Sequence, residues 1–413
     1  MKRHFTWYVA IAMGLGVIAG TIGHHSIVDP TLRASVSGTL GLATEIFLRL
    51  IKMIIAPLVL TTLTVGIARM GDASTLGRVG ARALIWFLLC SLLSLTLGIF
   101  MVDLIAPGAG LNLPLPPTDA ASGIKATAFT LHEFVTHLIP RSIAESMANN
   151  EILQIVVFAG FLGIALGSLG ERAHLAITFT EQIGNAMLKV TGYVMWVAPI
   201  AVFAALASTV MNEGLGILIT YGRFLGGFFL SLALLWALLI AMGFALLRRR
   251  VFGLIRAIRE PVLLAFSTAS SEAAYPKTLE RLERFGVSPR VASFVLPLGY
   301  SFNLDGSMMY CTFATLFIAQ AYAIPLTLGQ KLTMLLLLMV TSKGMAGVPR
   351  ASLVVISATL AHFGIPEAGL LLVIAVDHVL DMGRSATNVV GNSIATAVIA
   401  ALEGEITQDT PPV

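Results

Sequence analysis

Charge is the scarcest property of this chain. Asp, Glu, Lys and Arg together make up 12% of its 413 residues, about half of the ~25% typical of a soluble globular domain. With a hydrophobic share of 57%, that composition reads as a polytopic membrane protein. The formal net charge is only +4. So small a surplus does not point to nucleic acid and fits cytoplasmic loops instead. Cysteine is nearly missing: Cys90 and Cys311 each sit inside an apolar run, so there is no disulfide framework and no metal-binding cysteine cluster. Neither H-E-x-x-H nor G-x-S-x-G occurs, which removes the marks of a zinc protease and of a hydrolase nucleophile elbow. Ser270, Ser271 and His378 are nucleophile and base types, but no oriented third member accompanies them.

What is present is apolar sequence in lengths suited to a bilayer, about 20 residues per crossing. Such runs occupy 6–27, 36–68, 80–106, 150–169, 188–211 and 217–247. The first follows Met1-Lys2-Arg3-His4 but offers no convincing cleavage site, so it reads as a retained transmembrane helix. The second is too long for one upright span and contains Lys52 and Pro57, which predicts tilt or a bend. The Pro- and Gly-rich stretch 107–122 reads as an exposed loop, and 124–149, with His132, His137 and Arg141, as partly interfacial. Arg69, Arg78 and Arg82 follow span two, and Arg248 to Arg250, Arg256 and Arg259 follow span six. The loops at 25–34, 107–123 and 212–216 hold few positive charges. By the positive-inside rule the N-terminus and the 248–260 loop are cytoplasmic.

After residue 250 the apolar segments shorten and small polar residues interrupt them. The run 261–266 meets Ser267-Thr268-Ala269-Ser270-Ser271-Glu272 and then returns through the amphipathic 277–285. That is a hairpin entering the membrane and turning back. The next segment breaks around Asn303-Leu304-Asp305-Gly306-Ser307, and 328–340 breaks at Thr341 to Arg350 before resuming. Backbone that leaves the helix at membrane depth is tolerated only where protein buries it or where it lines a cavity. One such break alone is most simply a packing kink. Several in one half mark the substrate site of a secondary transporter.

The last apolar segment carries a stripe: Asp377, Asp381, Arg384, Ser385, Asn388 and Asn392 recur at three- and four-residue steps, one face of a helix. In a bilayer that face must meet protein or water, because ionisable groups are costly in lipid. The bland alternative is a buried Asp–Arg pair that only orients helices. The sharper one is a binding site for a charged solute.

With these pieces together, nearly the whole chain resembles the dicarboxylate/amino acid:cation symporter family, which includes the glutamate transporters, and most closely its bacterial proton-coupled branch. The resemblance rests on the Ser-Ser hairpin ending in Pro276, on Asn303-Leu304-Asp305-Gly306-Ser307, on Gly344 to Pro349, on 381–392, and on Ala198-Pro199-Ile200. It implies an all-α polytopic fold of eight transmembrane helices, two re-entrant hairpins and inverted repeats. It also implies a homotrimer in the bacterial inner membrane with both termini cytoplasmic. Residues 1–75 and 107–212 would form a scaffold, and 76–106 and 213–413 a domain that carries substrate across like an elevator.

The resemblance also assigns roles. Arg384 would take the side-chain carboxylate of a small anionic substrate, Asp381 its ammonium and Asn388 its main-chain carboxylate. Ser385, Ser307, Ser270, Ser271 and Val348 would complete the pocket. Arg is suited to a carboxylate through its bidentate fork. Asp381 favours glutamate or aspartate over the alternative, a C4-dicarboxylate such as succinate, fumarate or malate. Asp377 receives no role.

Departures from the family bear on the coupled ion. Sodium-coupled members carry Asp where this chain has Asn392, and Tyr and Thr where it has Phe87 and Cys90. Hard cations want oxygen ligands, so the sodium sites are weakened, leaving Asn303, Asp305, Ser91, Asn388 and Asn392 as a residual set. Glu272 stands where such members have a small residue, and the position of an animal proton-carrying Glu is Cys311. The expectation is therefore proton symport with no resident cofactor, Glu272, Asp305 and Asp381 being the candidate carriers. Arg350 replaces a common Gly and reads as a side chain reaching extracellular water. An anion channel is the rival class, and it would show a continuous polar pore.

Overall fold

An apolar chain in lipid must satisfy its backbone within each segment, and almost every described residue is accordingly helical. The computed structural model describes residues 5–68, 73–109, 139–214, 221–342, 351–374 and 376–407. In chain order the helices are α1 (Phe5–Ser26), α2 (Pro30–Ala68), α3 (Ala73–Ile105), α4 (Ile143–Asn149), α5 (Ile152–Ser168), α6 (His174–Val194), α7 (Ala198–Glu213) and α8 (Gly222–Leu247). They continue as α9 (Arg250–Ala257), α10 (Arg259–Thr268), α11 (Ser271–Phe285), α12 (Pro289–Phe302), α13 (Asp305–Ala321), α14 (Leu328–Thr341), α15 (Ala351–His362), α16 (Leu370–Ile374) and α17 (Asp377–Leu402).

Local chemistry sets several of the boundaries. Asp29 Oδ1 accepts from Thr31 N at 2.9 Å, just ahead of Pro30 at the start of α2. These bonds hold the exposed carboxyl below its usual range, since Thr31 favours the charged form. Ser288 caps α12 with Pro289 in its first turn, a pairing that pre-sets the helical φ. Thr327 and Gln330 form a reciprocal capping box on α14.

Among the described residues, five helices are long and apolar enough to cross a membrane: α1, α2, the 77–105 part of α3, α8 and α17. The pair 170–194 and 198–212, bent by 52°, passes the same test jointly. The single run expected at 188–211 is therefore broken at Met195 to Val197. The run at 150–169 becomes the 17-residue α5. At 39 residues, α2 spans about 58 Å at 1.5 Å per residue and stays one helix through Pro57. Its start at Pro30 also takes up much of the loop expected at 25–34. Most of 107–138 lies outside the described residues, as does the second hairpin's tip, with Val348 and Arg350.

Two sets of helices pack mainly within themselves. In one, α2 contacts α5, α6 and α7, and α1 lies along α7. In the other, α17 is surrounded by α8, α10, α12 and α13, with α3 and α15 against α13. The sets meet where α11 and α12 contact α2 and where α10 contacts α7.

Ion pairs close one end of the second set. Arg78 and Arg82 on α3 reach Glu403 at 3.0 and 2.7 Å. The segment after α17 then pairs with the α11–α12 turn through Ser288 N to Glu405 O and Thr407 N to Gly286 O, both 3.0 Å. The first hairpin is clipped at its base: buried Lys277 lies 3.7 Å from Glu260 on the opposite limb, and Arg281 bonds the same carboxylate.

Candidate functional site

The first hairpin turns in two residues. Ala269, at φ 48°, ends α10 in the left-handed region, where its N–H and that of Ser270 return to Phe266 O and Ala265 O. Ser270 then caps α11 by accepting from Ala273 N at 3.2 Å. Ser270, expected as a substrate ligand, thus has a structural partner, and Ser271 is half-buried in the first turn of α11. Glu272, expected as a proton carrier at the hairpin tip, lines a cavity of about 20 Å³ with Tyr275, Tyr300, Pro297, Ile152 and the α2 residues Ile55 and Val59.

The broken segment between α12 and α13 is only Asn303 and Leu304. It brings the exposed amides of the α13 N-terminus, unpaired within their own helix, against α17. Asn388 Oδ1 accepts from Gly306 N at 2.9 Å and from Ser307 N at 3.4 Å, while its Nδ2 donates to Ser307 Oγ at 3.1 Å. Asn388 therefore acts as a cap supplied from another helix. Glycine is required at this crossing. A Cβ on Gly306 would lie 2.6 Å from Arg384 O, and one on Gly391 would lie 2.0 Å from Asp305 Oδ2.

Asn303, Asp305 and Asn392 come together as expected, all buried. Asn303 Nδ2 donates to Asp305 Oδ2 at 2.9 Å and to Asn392 Oδ1 at 3.3 Å. The hydroxyl of α3 that reaches Asp305 is Ser94 Oγ, at 3.2 Å to Oδ1. Ser91, one turn earlier, donates to Phe87 O in its own helix. Ser94 was missed, though its three-residue step from Ser91 was a usable signal.

Asp377, left without a role by the sequence, joins the cluster around Arg384. Arg384 Nη2 lies 3.2 Å from Asp377 Oδ1 and 3.0 Å from Asp381 Oδ1. Tyr310, one turn past Ser307 on α13, donates to Asp377 Oδ1 at 2.9 Å, and its ring lies 4.0 Å beneath the guanidinium carbon. Phe228 on α8 packs edge-on against that ring at 5.6 Å and against Phe313 of α13 at 5.4 Å. Arg384 is 2% exposed, whereas the Asp381 side chain keeps 36%. Nε and Nη1 of Arg384 are buried without a hydrogen bond, two donors held for an acceptor that a ligand can bring. Ser385 is buried beside it.

Two carboxylates against one guanidinium leave this cluster one negative charge. It can receive an anion at Arg384 and a cation at Asp381. A helical membrane bundle in which a broken helix end and a buried ion cluster meet has the architecture of a solute carrier. The chain belongs to the sodium:dicarboxylate symporter family, whose model matches residues 5–402.

It is 40% identical to the proton/glutamate-aspartate symporter of Escherichia coli, over 98% of this chain and 94% of that protein. It is 36% identical to the proton/sodium-glutamate symport protein of Bacillus caldotenax, over 99% and 96% of the two chains. It is also 37% identical to C4-dicarboxylate transport protein 2 of Polaromonas naphthalenivorans, over 96% and 88%.

Proposed function

We propose that this protein is a secondary active symporter that takes up glutamate or aspartate together with protons. The observation that carries the reading is the mutual pairing of Asp381 and Arg384 at 3.0 Å. When Arg384 turns to a substrate carboxylate, Asp381 loses its cation. A carboxylate on the wall of a membrane-embedded site is unfavourable without a cation beside it. An α-ammonium restores the pairing, and a plain dicarboxylate does not. Ser307 and Ser385 line the same crossing, and Ser271 and Val348 belong to the hairpins that would close over it.

The site begins one charge negative, and an acidic amino acid adds another. Moving that load through a membrane interior requires neutralisation by co-transported cations. Among the three candidate carriers, we assign Asp305. It is fully buried and shares the Asn303–Asn392 network that abuts the substrate cluster, whereas Glu272 faces α2 and α5. A residual sodium reading has one specific support: Asn303 Oδ1 is buried without a hydrogen-bond partner beside Asp305, an oxygen of the type that sodium takes. Asn392 counts against it, because its amide supplies a neutral oxygen, already bonded to Asn303 Nδ2 at 3.3 Å, in place of a carboxylate.

The tendency of the helices to pack in two sets supports a division into scaffold (1–75 and 107–212) and moving domain (76–106 and 213–413). The Glu403 and Glu405 pairs would make the second travel as one body. Eight spans with two re-entrant hairpins, homotrimeric assembly and cytoplasmic termini in a bacterial inner membrane complete the proposal.

Uptake of labelled glutamate into proteoliposomes tests it. Accumulation driven by a pH gradient without sodium is the expected result. Accumulation that needs a sodium gradient and ignores pH would overturn proton coupling. Succinate uptake that glutamate and aspartate fail to inhibit would favour the C4-dicarboxylate alternative.

A further inference from the structure

The basic residues at the end of the molecule that holds the hairpin base divide into two classes. Arg78, Arg82, Lys277, Arg281, Arg284 and Arg290 are each matched by Glu260, Glu280, Glu403 or Glu405. Between α8 and α10 the pattern differs. Arg248, Arg249, Arg256 and Arg259 are exposed, and among the described residues their side chains have no ion pair or hydrogen bond. They follow directly on a membrane-crossing helix and flank α9, which buries Val251 and Leu254 and turns Phe252 and Arg256 outward. A cluster of this kind at the cytoplasmic end of a span attracts anionic lipid.

Arg259 also stands at the edge of an apolar groove. The groove has a volume of about 420 Å³ and runs between Trp236 on α8, Val262 and Phe266 on α10, and Ala386 and Val390 on α17. Its polar atoms are already used: Trp236 Nε1 donates to Thr387 Oγ1 at 2.8 Å, and Thr387 Oγ1 donates to Gly383 O at 2.8 Å. No group in the floor calls for water or a polar ligand. The size falls in the ~300–1,000 Å³ range of ligand pockets.

We propose that this groove binds an anionic phospholipid, its phosphate on Arg259 with help from Arg256 and an acyl chain lying against Trp236 and Ala386. The guanidinium fork suits a phosphate, and the compensated arginines nearby show that these charges are not needed inside the protein. A sterically ordinary zwitterionic lipid would fill the apolar slot but gain little from the arginines.

The location gives the lipid a consequence. Gly383, Ala386, Thr387 and Val390 form the back of α17, while Asp381, Arg384 and Asn388 form its front. The bound chain would also touch α10 of the first hairpin. It would thus brace three helices that must keep their relative positions for the ion cluster to hold.

The test uses the full-length protein in detergent, titrated with phosphatidylglycerol or phosphatidylcholine of identical acyl chains. Retained lipid is read by native mass spectrometry, and stability by the thermal midpoint. Preferential retention of phosphatidylglycerol with a raised midpoint is expected, weakening as salt is added. Replacing Arg259 and Arg256 by Gln should weaken that preference by about five-fold per arginine. A233F, which fills the groove and keeps both arginines, should lose retention of either lipid. Equal retention of the two lipids by the unmodified protein would overturn the proposal. So would a phosphatidylglycerol preference that survives R256Q/R259Q.

Discussion

Asp381 and Arg384 stand 3.0 Å apart on one face of α17, an oppositely charged pair within the proposed substrate site. In the proposed reading each holds the place that the substrate's opposite charge would take. Asp377 shares Nη2 with Asp381, and the Tyr310 ring lies under the guanidinium, so Arg384 has two holds that do not depend on Asp381.

Asp381→Asn should reverse selectivity. The amide cannot match an ammonium, so glutamate and aspartate binding should fall by about 10–100-fold, the equivalent of a lost charged hydrogen bond of ~1.5–3 kcal/mol. Succinate binding should be unchanged or tighter, because Arg384 loses a competitor. A competition panel on purified protein measures both, and equal losses for all ligands would remove the ammonium role.

Tyr310→Phe and Asp377→Ala separate support from charge pairing. The phenylalanine keeps the ring under Arg384 and deletes only the 2.9 Å bond to Asp377, a loss of about 1–3 kcal/mol in stability. Asp377→Ala leaves buried Arg384 short of a carboxylate and should cost about 3–5 kcal/mol. Thermal unfolding in detergent should rank them in that order, and binding should follow.

Gly306→Ala should weaken substrate binding without touching substrate. Its Cβ would meet Arg384 O at 2.6 Å, backbone against backbone, so α13 and α17 must separate. Overpacking of this kind costs about 1–3 kcal/mol. Ser307→Ala, which removes a hydroxyl and adds no atom, should be milder in stability. The two midpoints, read together, check the crossing.

Asp305→Asn should abolish pH-gradient-driven accumulation while leaving substrate exchange, whereas Glu272→Gln should leave accumulation intact. Proteoliposome uptake with and without a pH gradient gives the comparison. Loss of coupling in Glu272→Gln alone would transfer the carrier role to the cavity facing α2.

Ala269→Gly should stabilise the first hairpin slightly. A left-handed alanine costs about 1–2 kcal/mol, and glycine's extra freedom in the unfolded chain returns about 0.4–1 kcal/mol of that. A net gain between nothing and about 1.6 kcal/mol follows, visible as a small rise in the thermal midpoint.

Much of this protein is written in its residue order. Long apolar runs separated by basic turns dictate a helical membrane bundle, because lipid offers no partner to an open backbone. The three- and four-residue steps from Asp381 to Asn392 put one polar stripe on one helix. Gly and Ser in the middle of short apolar segments mark where helices stop. These are local or periodic properties, and a sequence displays them directly.

Which polar groups would meet was decided only in three dimensions. Asp377 and Tyr310 are 67 residues apart, and Ser94 and Asp305 are 211 apart, so no spacing rule could pair them. Glu272 stands out in the sequence because it sits where sodium-coupled relatives have a small residue. Once α11 forms, its position in the first turn faces it toward Ile55 and Val59. Asn388 looked like a ligand, and its amide caps a helix that starts 83 residues earlier, at Asp305. Sequence specifies what each residue can bond to. The choice among partners follows from close packing of helices, where a buried donor must take whatever acceptor the neighbouring backbone brings within reach.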